Sequence, residues 1–184
     1  MNVMNEPHIR GLRVAVIIIV LTMSMMANIS AQTQKGALNI GLELGPFIFI
    51  ATGGHETIGD IGLFGEPHID YFISERLAIG ATGFFYRPID NTGSSPSIYF
   101  GGVYSYVNYY FNSGSPLSPY IGGRIGAFKQ NSEMQFAFGA QTGLQYFFTR
   151  QFSIDGQLEI AASTGSKEDI FLGGLGLGLS YHIK

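Results

Sequence analysis

The sequence predicts an all-β chain, a single sheet of eight antiparallel strands wound up and down. Three observations predict it. From residue 35 to the end, apolar residues alternate with polar residues or glycine, the period of two that an extended strand requires. Clusters of Gly, Ser, Asn, Asp and Pro, the residues that turns demand, interrupt this alternation at regular intervals. No segment of the mature chain carries the 3.6-residue apolar repeat of a helix.

The segment before the sheet reads as a targeting signal. Arg10 and Arg13 precede the uncharged stretch Val14 to Ile29, and Ser30, Ala31 and Gln32 follow. Basic residues, an apolar core and a small residue before a polar start describe a cleavable signal peptide over residues 1–31. An uncleaved helical anchor is the alternative, but the apolar run is shorter than the ~20 residues that span a bilayer. Residues 32–184 then form one domain. Removing residues 1–31 takes away Arg10, Arg13 and Glu6, which leaves eight bases against twelve acids and a net charge of −4. That mild acidity and the absence of a basic patch exclude nucleic acid as a partner. With no cysteine in the chain there is neither a disulfide framework nor a thiolate metal site.

The eight strands fall at about 37–50, 61–73, 77–88, 97–112, 118–129, 135–148, 152–163 and 169–184. Tight connections are expected at Ser74–Arg76, Asn112–Leu117 and Thr149–Gln151. Longer ones are expected at Ala51–Asp60, Pro88–Pro96, Gln130–Met134 and Thr164–Glu168. Short turns at one end and longer loops at the other are the plan of an outer-membrane barrel. The last strand shows the two faces most clearly. Leu175, Leu177, Leu179, Tyr181 and Ile183 share one side, while Gly174, Gly176, Gly178, Ser180 and His182 share the other.

Nearly every mid-strand charge lies on the second face: Glu43, Glu66, Asp70, Arg124, Asp155 and Glu159, with Asn39, His68, Gln141, Gln145, Gln157 and His182. The opposite face carries residues such as Leu42, Ile69, Ile79, Ile121, Phe138 and Leu158. On strand four the choice is ambiguous, and Val103, Val107, Tyr109 and Phe111 are taken as its apolar set. Alternation alone does not say which face is inside, because a soluble barrel and a membrane barrel differ only in that choice. The aromatics decide it. One group flanks the tight turns (Tyr71, Phe72, Tyr109, Tyr110, Phe111, Tyr120, Tyr146, Phe147, Phe148 and Phe152). A second lies near the longer connections (Phe47, Phe49, Phe84, Phe85, Tyr86, Tyr99, Phe100, Phe128, Phe136 and Phe171). Two aromatic bands around an aliphatic belt match the interface girdles of membrane barrels, which places the apolar face in lipid and the charges in the lumen. In lipid no sheet edge can stay open, so strand one must pair with strand eight.

The runs YFISERLAIG (Tyr71–Gly80), YYFNSGSPLSPYIGGRIGAF (Tyr109–Phe128) and LQYFFTRQFSIDGQLEIA (Leu144–Ala161) resemble the small eight-stranded outer-membrane β-barrels, the group of OmpX-like, opacity-type and OmpA membrane-domain proteins. The resemblance covers essentially all of the mature chain, and its motifs are periodic rather than chemical. It implies a bacterial outer membrane, periplasmic termini and short periplasmic turns. The implied partners are outer-membrane lipid and, during biogenesis, the outer-membrane assembly machinery, with a monomer expected. Such chains commonly end in an aromatic residue; this one ends Tyr181-His182-Ile183-Lys184, so either Tyr181 and Ile183 serve instead, the favoured expectation, or assembly is less efficient.

Inside an eight-stranded barrel there is about enough room for its own side chains. The expectation is a lumen filled by polar and aromatic groups, with inward glycines making room for Phe64, Phe84, Tyr104, Tyr106 and Tyr120. Arg124 is the single clear mid-strand base among Glu43, Glu66, Asp70, Asp155 and Glu159. Its planar fork suits bidentate contacts, and it is expected to be the hub of a lumen network with Asp70 and Asp155 at its own depth. His68 between Glu66 and Asp70 suits either a divalent metal or a histidine hydrogen-bonded to its carboxylate neighbours. The second is the commoner arrangement, and no metal or cofactor is assigned. Loop residues His55 and Glu56 have no partner that the sequence identifies. The chain has no G-x-S-x-G, H-E-x-x-H or P-loop motif, so it is not expected to be an enzyme. The expected role is structural or interactive. A narrow porin-like channel for small solutes is the alternative, and a lipid-modifying enzyme a distant third.

Overall fold

The computed structural model describes residues 33–53, 56–88, 100–113, 115–130, 133–164 and 169–184. The expected signal peptide and His55 lie outside them. The described residues form eight strands: β1 (Leu38–Gly53), β2 (Glu56–Phe72), β3 (Leu77–Pro88), β4 (Phe100–Tyr110), β5 (Leu117–Gln130), β6 (Glu133–Phe147), β7 (Phe152–Thr164) and β8 (Asp169–Ile183). Each strand pairs antiparallel with the next, and β1 closes on β8 with Leu38 opposite Ile183 and Ile40 opposite Tyr181. Closure satisfies the backbone groups that an open edge would leave bare.

The three tight turns share one device, a hydroxyl that accepts from the amides closing the turn. Ser74 Oγ accepts from the amides of Arg76 (3.3 Å) and Leu77 (3.1 Å). Ser115 Oγ accepts from Leu117 (3.2 Å). Thr149 Oγ1 accepts from Gln151 (3.2 Å) and Phe152 (2.9 Å). At the other end, two connections are shorter than the sequence suggests. The β1–β2 ladder runs on through Thr52↔Thr57 and Gly53↔Glu56, and the β5–β6 ladder through Gln130↔Glu133. Residues 51–60 read as a polar loop, but Ala51–Gly53 pair with Glu56–Ile58, and Thr52, Thr57 and Ile58 are β-branched types that favour a strand.

Two ladders lapse in mid-strand, each beside a proline. Pairing of β1 with β8 passes from Leu44↔Leu177 to Phe47↔Gly174, skipping Gly45 and Pro46. Pairing of β2 with β3 passes from Gly65↔Phe85 to His68↔Thr82, skipping Glu66 and Pro67. Proline has no N–H to give the ladder. The Pro67 carbonyl is taken up instead by Thr82 Oγ1 at 2.8 Å. At the first lapse the chains come so close that a Cβ on Gly45 would collide with the Leu175 carbonyl oxygen, so only glycine fits.

The outer face is an aliphatic belt, with Val103 and Ile125 each 66% exposed and Leu177 69% exposed. Exposure of this extent over the whole girth has no place in a water-soluble monomer. The strand-four choice of Val103, Val107, Tyr109 and Phe111 agrees with the structure, in which all four face outward. The aromatic bands need a correction, since each is divided between two faces. Tyr71, Tyr109, Phe85 and Phe136 face outward, whereas Phe72, Tyr110, Phe84 and Phe128 are buried in the lumen. The reason is geometric: neighbouring aromatics on a strand must point to opposite sides.

Candidate functional site

The barrel lumen holds every mid-strand charge named above. It is organised in three layers. At the tight-turn end Phe72, Tyr110 and Tyr120 close over Ala37 and Ala78, with ring centroids 5.3 Å apart for Phe72–Tyr110 and 5.3 Å for Tyr110–Tyr120. At the loop end Phe64, Phe84, Tyr86, Tyr104, Phe128 and Leu172 form a second apolar layer. Its rings stack at 6.2 Å (Phe64–Phe84) and meet edge to face at 6.2 Å (Phe84–Tyr104), the offset arrangements that aromatic quadrupoles prefer. Between these layers lies the polar one.

Arg124 on β5 lies where the polar layer meets the loop-end apolar layer. Its Nη2 donates to Glu66 Oε1 on β2 at 2.7 Å, and its Nη1 donates to Glu159 Oε2 on β7. The guanidinium carbon stands 4.1 Å from the centroid of the Tyr104 ring, a cation–π contact. The fork therefore spans the lumen and joins three strands to β4. The sequence put Asp70 and Asp155 at this depth; the structure pairs Arg124 with Glu66 and Glu159 instead. Glu66, Arg124 and Glu159 each stand eight residues from a turn residue, Ser74, Pro116 and Gln151 respectively. Asp70 and Asp155 lie four residues nearer the turns, about 13 Å along the strand at ~3.3 Å per residue.

Those two carboxylates have other neighbours. Asp70 accepts from Asn39 Nδ2 at 2.8 Å and from the Tyr106 hydroxyl. Asp155 meets Glu43 over Gly178, where a Cβ would stand 2.6 Å from Asp155 Oδ1 and 2.7 Å from Glu43 Cγ. Glu43 Oε2 and Asp155 Oδ1 are buried and receive no hydrogen bond from outside this pair. They border a cavity of about 20 Å³, also lined by His68, Asp70 and Ser180, which has room for about one water.

Glu66, His68 and Asp70 do not converge on a metal. Successive inward residues of one strand are ~6.6 Å apart, and here each turns to a different partner. Glu66 goes to Arg124 and Asp70 to Asn39. The His68 ring contacts Ser180 Oγ at 3.3 Å, with Nδ1 4.0 Å from Glu43. Among the described residues, no three His, Cys, Asp or Glu groups are arranged to hold a metal ion.

Further polar contacts lie in this layer and beside the tight-turn aromatics. Tyr120 donates to Gln157 Oε1 (2.8 Å), and Gln141 donates to Asn108 Oδ1 (2.8 Å). Ser153 Oγ lies 2.8 Å from His182 Nε2, and Gln145 donates to Ser153 at 3.1 Å. The serine–histidine pair lacks the third member of a triad. His182 Nδ1 is buried without a partner, so no carboxylate orients the ring. Asn108 and Ser153 are lumen groups that the sequence reading passed over, and Tyr106, expected inward as an aromatic filler, also donates its hydroxyl to Asp70. Their phase shows them, since each lies an even number of residues from an inward neighbour on its strand.

Several inward glycines sit against large side chains. A Cβ on Gly126 would lie 2.6 Å from the Tyr104 ring, and one on Gly143 would lie 2.6 Å from Tyr120 Cζ. Space at these positions is taken jointly by an aromatic group and a backbone carbonyl oxygen, that of Val103 at Gly126 and that of Gly156 at Gly143.

A closed eight-stranded antiparallel barrel with an aliphatic belt outside and its ionic groups inside is a transmembrane β-barrel of the small outer-membrane kind. Solved structures share the fold. Neisserial surface protein A has a TM-score of 0.66 at 16% identity, over 80% of this chain and 99% of that one. The N-terminal β-barrel domain of Pseudomonas aeruginosa OprF gives 0.56 at 16% identity, over 81% and 98%. The outer membrane protein AlkL, solved in lipid bilayers, gives 0.52 at 17% identity, over 84% and 93%. The sequence matches no protein-family model, and no curated protein matches it.

Proposed function

We propose that this chain is an outer-membrane barrel with a structural or interactive role, whose lumen is closed to solutes. One observation carries this reading: the polar layer leaves a cavity of about 20 Å³ between two aromatic layers, too small for a hydrated ion or a metabolite to pass. The Arg124 fork reinforces the closure by tying β2, β5 and β7 together across the axis. The reading involves no catalytic step and no cofactor. It takes the protein as a monomer in outer-membrane lipid, delivered by the assembly machinery.

A narrow cation path is the second reading. It draws on the abutting carboxyl groups of Glu43 and Asp155, which line the cavity and would attract a cation. Planar-bilayer recording separates the two. A closed lumen gives a flat current after confirmed insertion. Discrete steps with cation selectivity, reduced by Glu43→Gln, would overturn the first reading in favour of the second.

A further inference from the structure

The charges of the mature chain are distributed unevenly along the barrel axis. The lumen holds Arg124 against five carboxylates. By sequence position the loop half holds Arg87, Lys129 and Lys167 against six acids. The tight-turn end is the reverse, with Lys35, Arg76, Arg150 and Lys184 all exposed and Glu75 the single acidic side chain among them. An acidic protein thus carries a basic rim at one end.

That rim lies just beyond the outward aromatics Tyr71, Tyr109, Phe111, Phe152 and Tyr181, the residue types that mark the level of lipid headgroups. Two of its cations flank a cleft of about 500 Å³, in which Arg150 and Lys184 stand beside Thr149, Gln151 and Tyr181, with no acidic side chain in the lining. The cleft has a fixed frame, because the His182 amide donates to the Gln151 carbonyl at 2.7 Å and joins the β6–β7 turn to the end of β8. Phe152 and Tyr181, their rings 4.9 Å apart, form its lipid-side shoulder.

We propose that this rim, centred on the Arg150–Lys184 cleft, binds the phosphate groups of anionic phospholipids in the leaflet it faces. The inference rests on the reading of a membrane-spanning barrel. Its chemistry is charge complementarity at the depth where headgroups lie, where each Lys or Arg adds about five-fold in affinity and is screened by salt. Hydroxyl and amide donors from Thr149 and Gln151 add directional partners for phosphate oxygens.

The test uses the refolded protein in phosphatidylcholine vesicles with trace spin-labelled phosphatidylglycerol or phosphatidylcholine. The readout is the motionally restricted fraction of each lipid. The proposal expects phosphatidylglycerol to be favoured by at least about five-fold at low salt and much less at high salt. Arg150→Gln with Lys184→Gln should remove most of the preference, while Lys129→Gln at the loop end should retain it. Inorganic phosphate at matched ionic strength should not displace the lipid. Equal association of the two lipids, a preference that survives the double variant, or displacement by inorganic phosphate would overturn the proposal and leave the barrel reading standing. Absence of any restricted lipid shell would overturn both. Each variant is first checked for the mobility shift of a folded barrel on unheated gels.

Discussion

Replacing Arg124 by methionine removes the one cation that serves two buried carboxylates. The Arg124 side chain is 2% exposed, and those of Glu66 and Glu159 are 4% and 5% exposed, so solvent does not screen the loss. Removing one partner of a buried pair costs about 3–5 kcal/mol, because the other charge is left uncompensated. The stacking of the guanidinium on Tyr104 adds up to roughly 2 kcal/mol. One guanidinium serves both acids, so the pair cost is counted once, and the expected loss is on the order of 3–7 kcal/mol. Against a typical stability of about 5–15 kcal/mol this variant is marginal. Urea unfolding in lipid vesicles, followed by tyrosine fluorescence and by gel mobility without heating, measures it. Adding Glu66→Gln and Glu159→Gln to Arg124→Met should recover most of the loss, since replacing a whole buried ionic group is often nearly neutral. Arg124→Lys should fall between, because a point charge cannot bridge two carboxylates as a planar fork does. An Arg124→Met variant within about 0.5 kcal/mol of wild type, the ordinary scatter of a neutral surface change, would refute the reasoning.

Gly143→Ala forces a methyl group against Tyr120 and the Gly156 carbonyl oxygen and should cost about 1–3 kcal/mol in the same unfolding assay; an unchanged midpoint would argue against this close approach. Leu177→Arg puts a charge on the lipid-facing belt and should destabilise the vesicle-inserted protein by about 2–4 kcal/mol if Leu177 lies near the bilayer midplane. An unchanged midpoint would argue against a lipid-facing Leu177.

The fold was legible because a two-residue alternation repeated over eight segments has few other readings, and the last strand, GLGLGLSYHI, displays it almost without noise. Single residues at strand boundaries were less legible, since Thr52 and Thr57 are as polar as a loop yet pair across a hairpin. Arg124 was identifiable as a hub from its isolation among acids. Its partners depended on depth along the axis, which requires the true end of each turn. Asp70 and Asp155 stand only four residues from their turns, so matching them with Arg124 overlooks the equal eight-residue spacing that joins it to Glu66 and Glu159. The interior aromatic layers were hidden for another reason. Tyr71-Phe72 and Tyr109-Tyr110 read as members of one girdle until the alternation is applied residue by residue. The Glu43–Asp155 approach over Gly178 involves β1, β7 and β8, and only the closing register of β1 on β8 reveals it.

The inside-out cylinder is tested most directly along β7, because the chain has no cysteine and single labels can be introduced cleanly. Cysteines at Ile154, Leu158 and Ile160, and separately at Ser153 and Gln157, would carry a spin label in vesicles. Its collisions with lipid-soluble oxygen and with a water-soluble nickel chelate are then compared. Positions 154, 158 and 160 should collide with oxygen and not with nickel, and positions 153 and 157 should be protected from both. Nickel access at Leu158, or oxygen access at Gln157 equal to that at Leu158, would contradict a barrel with its apolar face in lipid and its ionic groups packed around the axis.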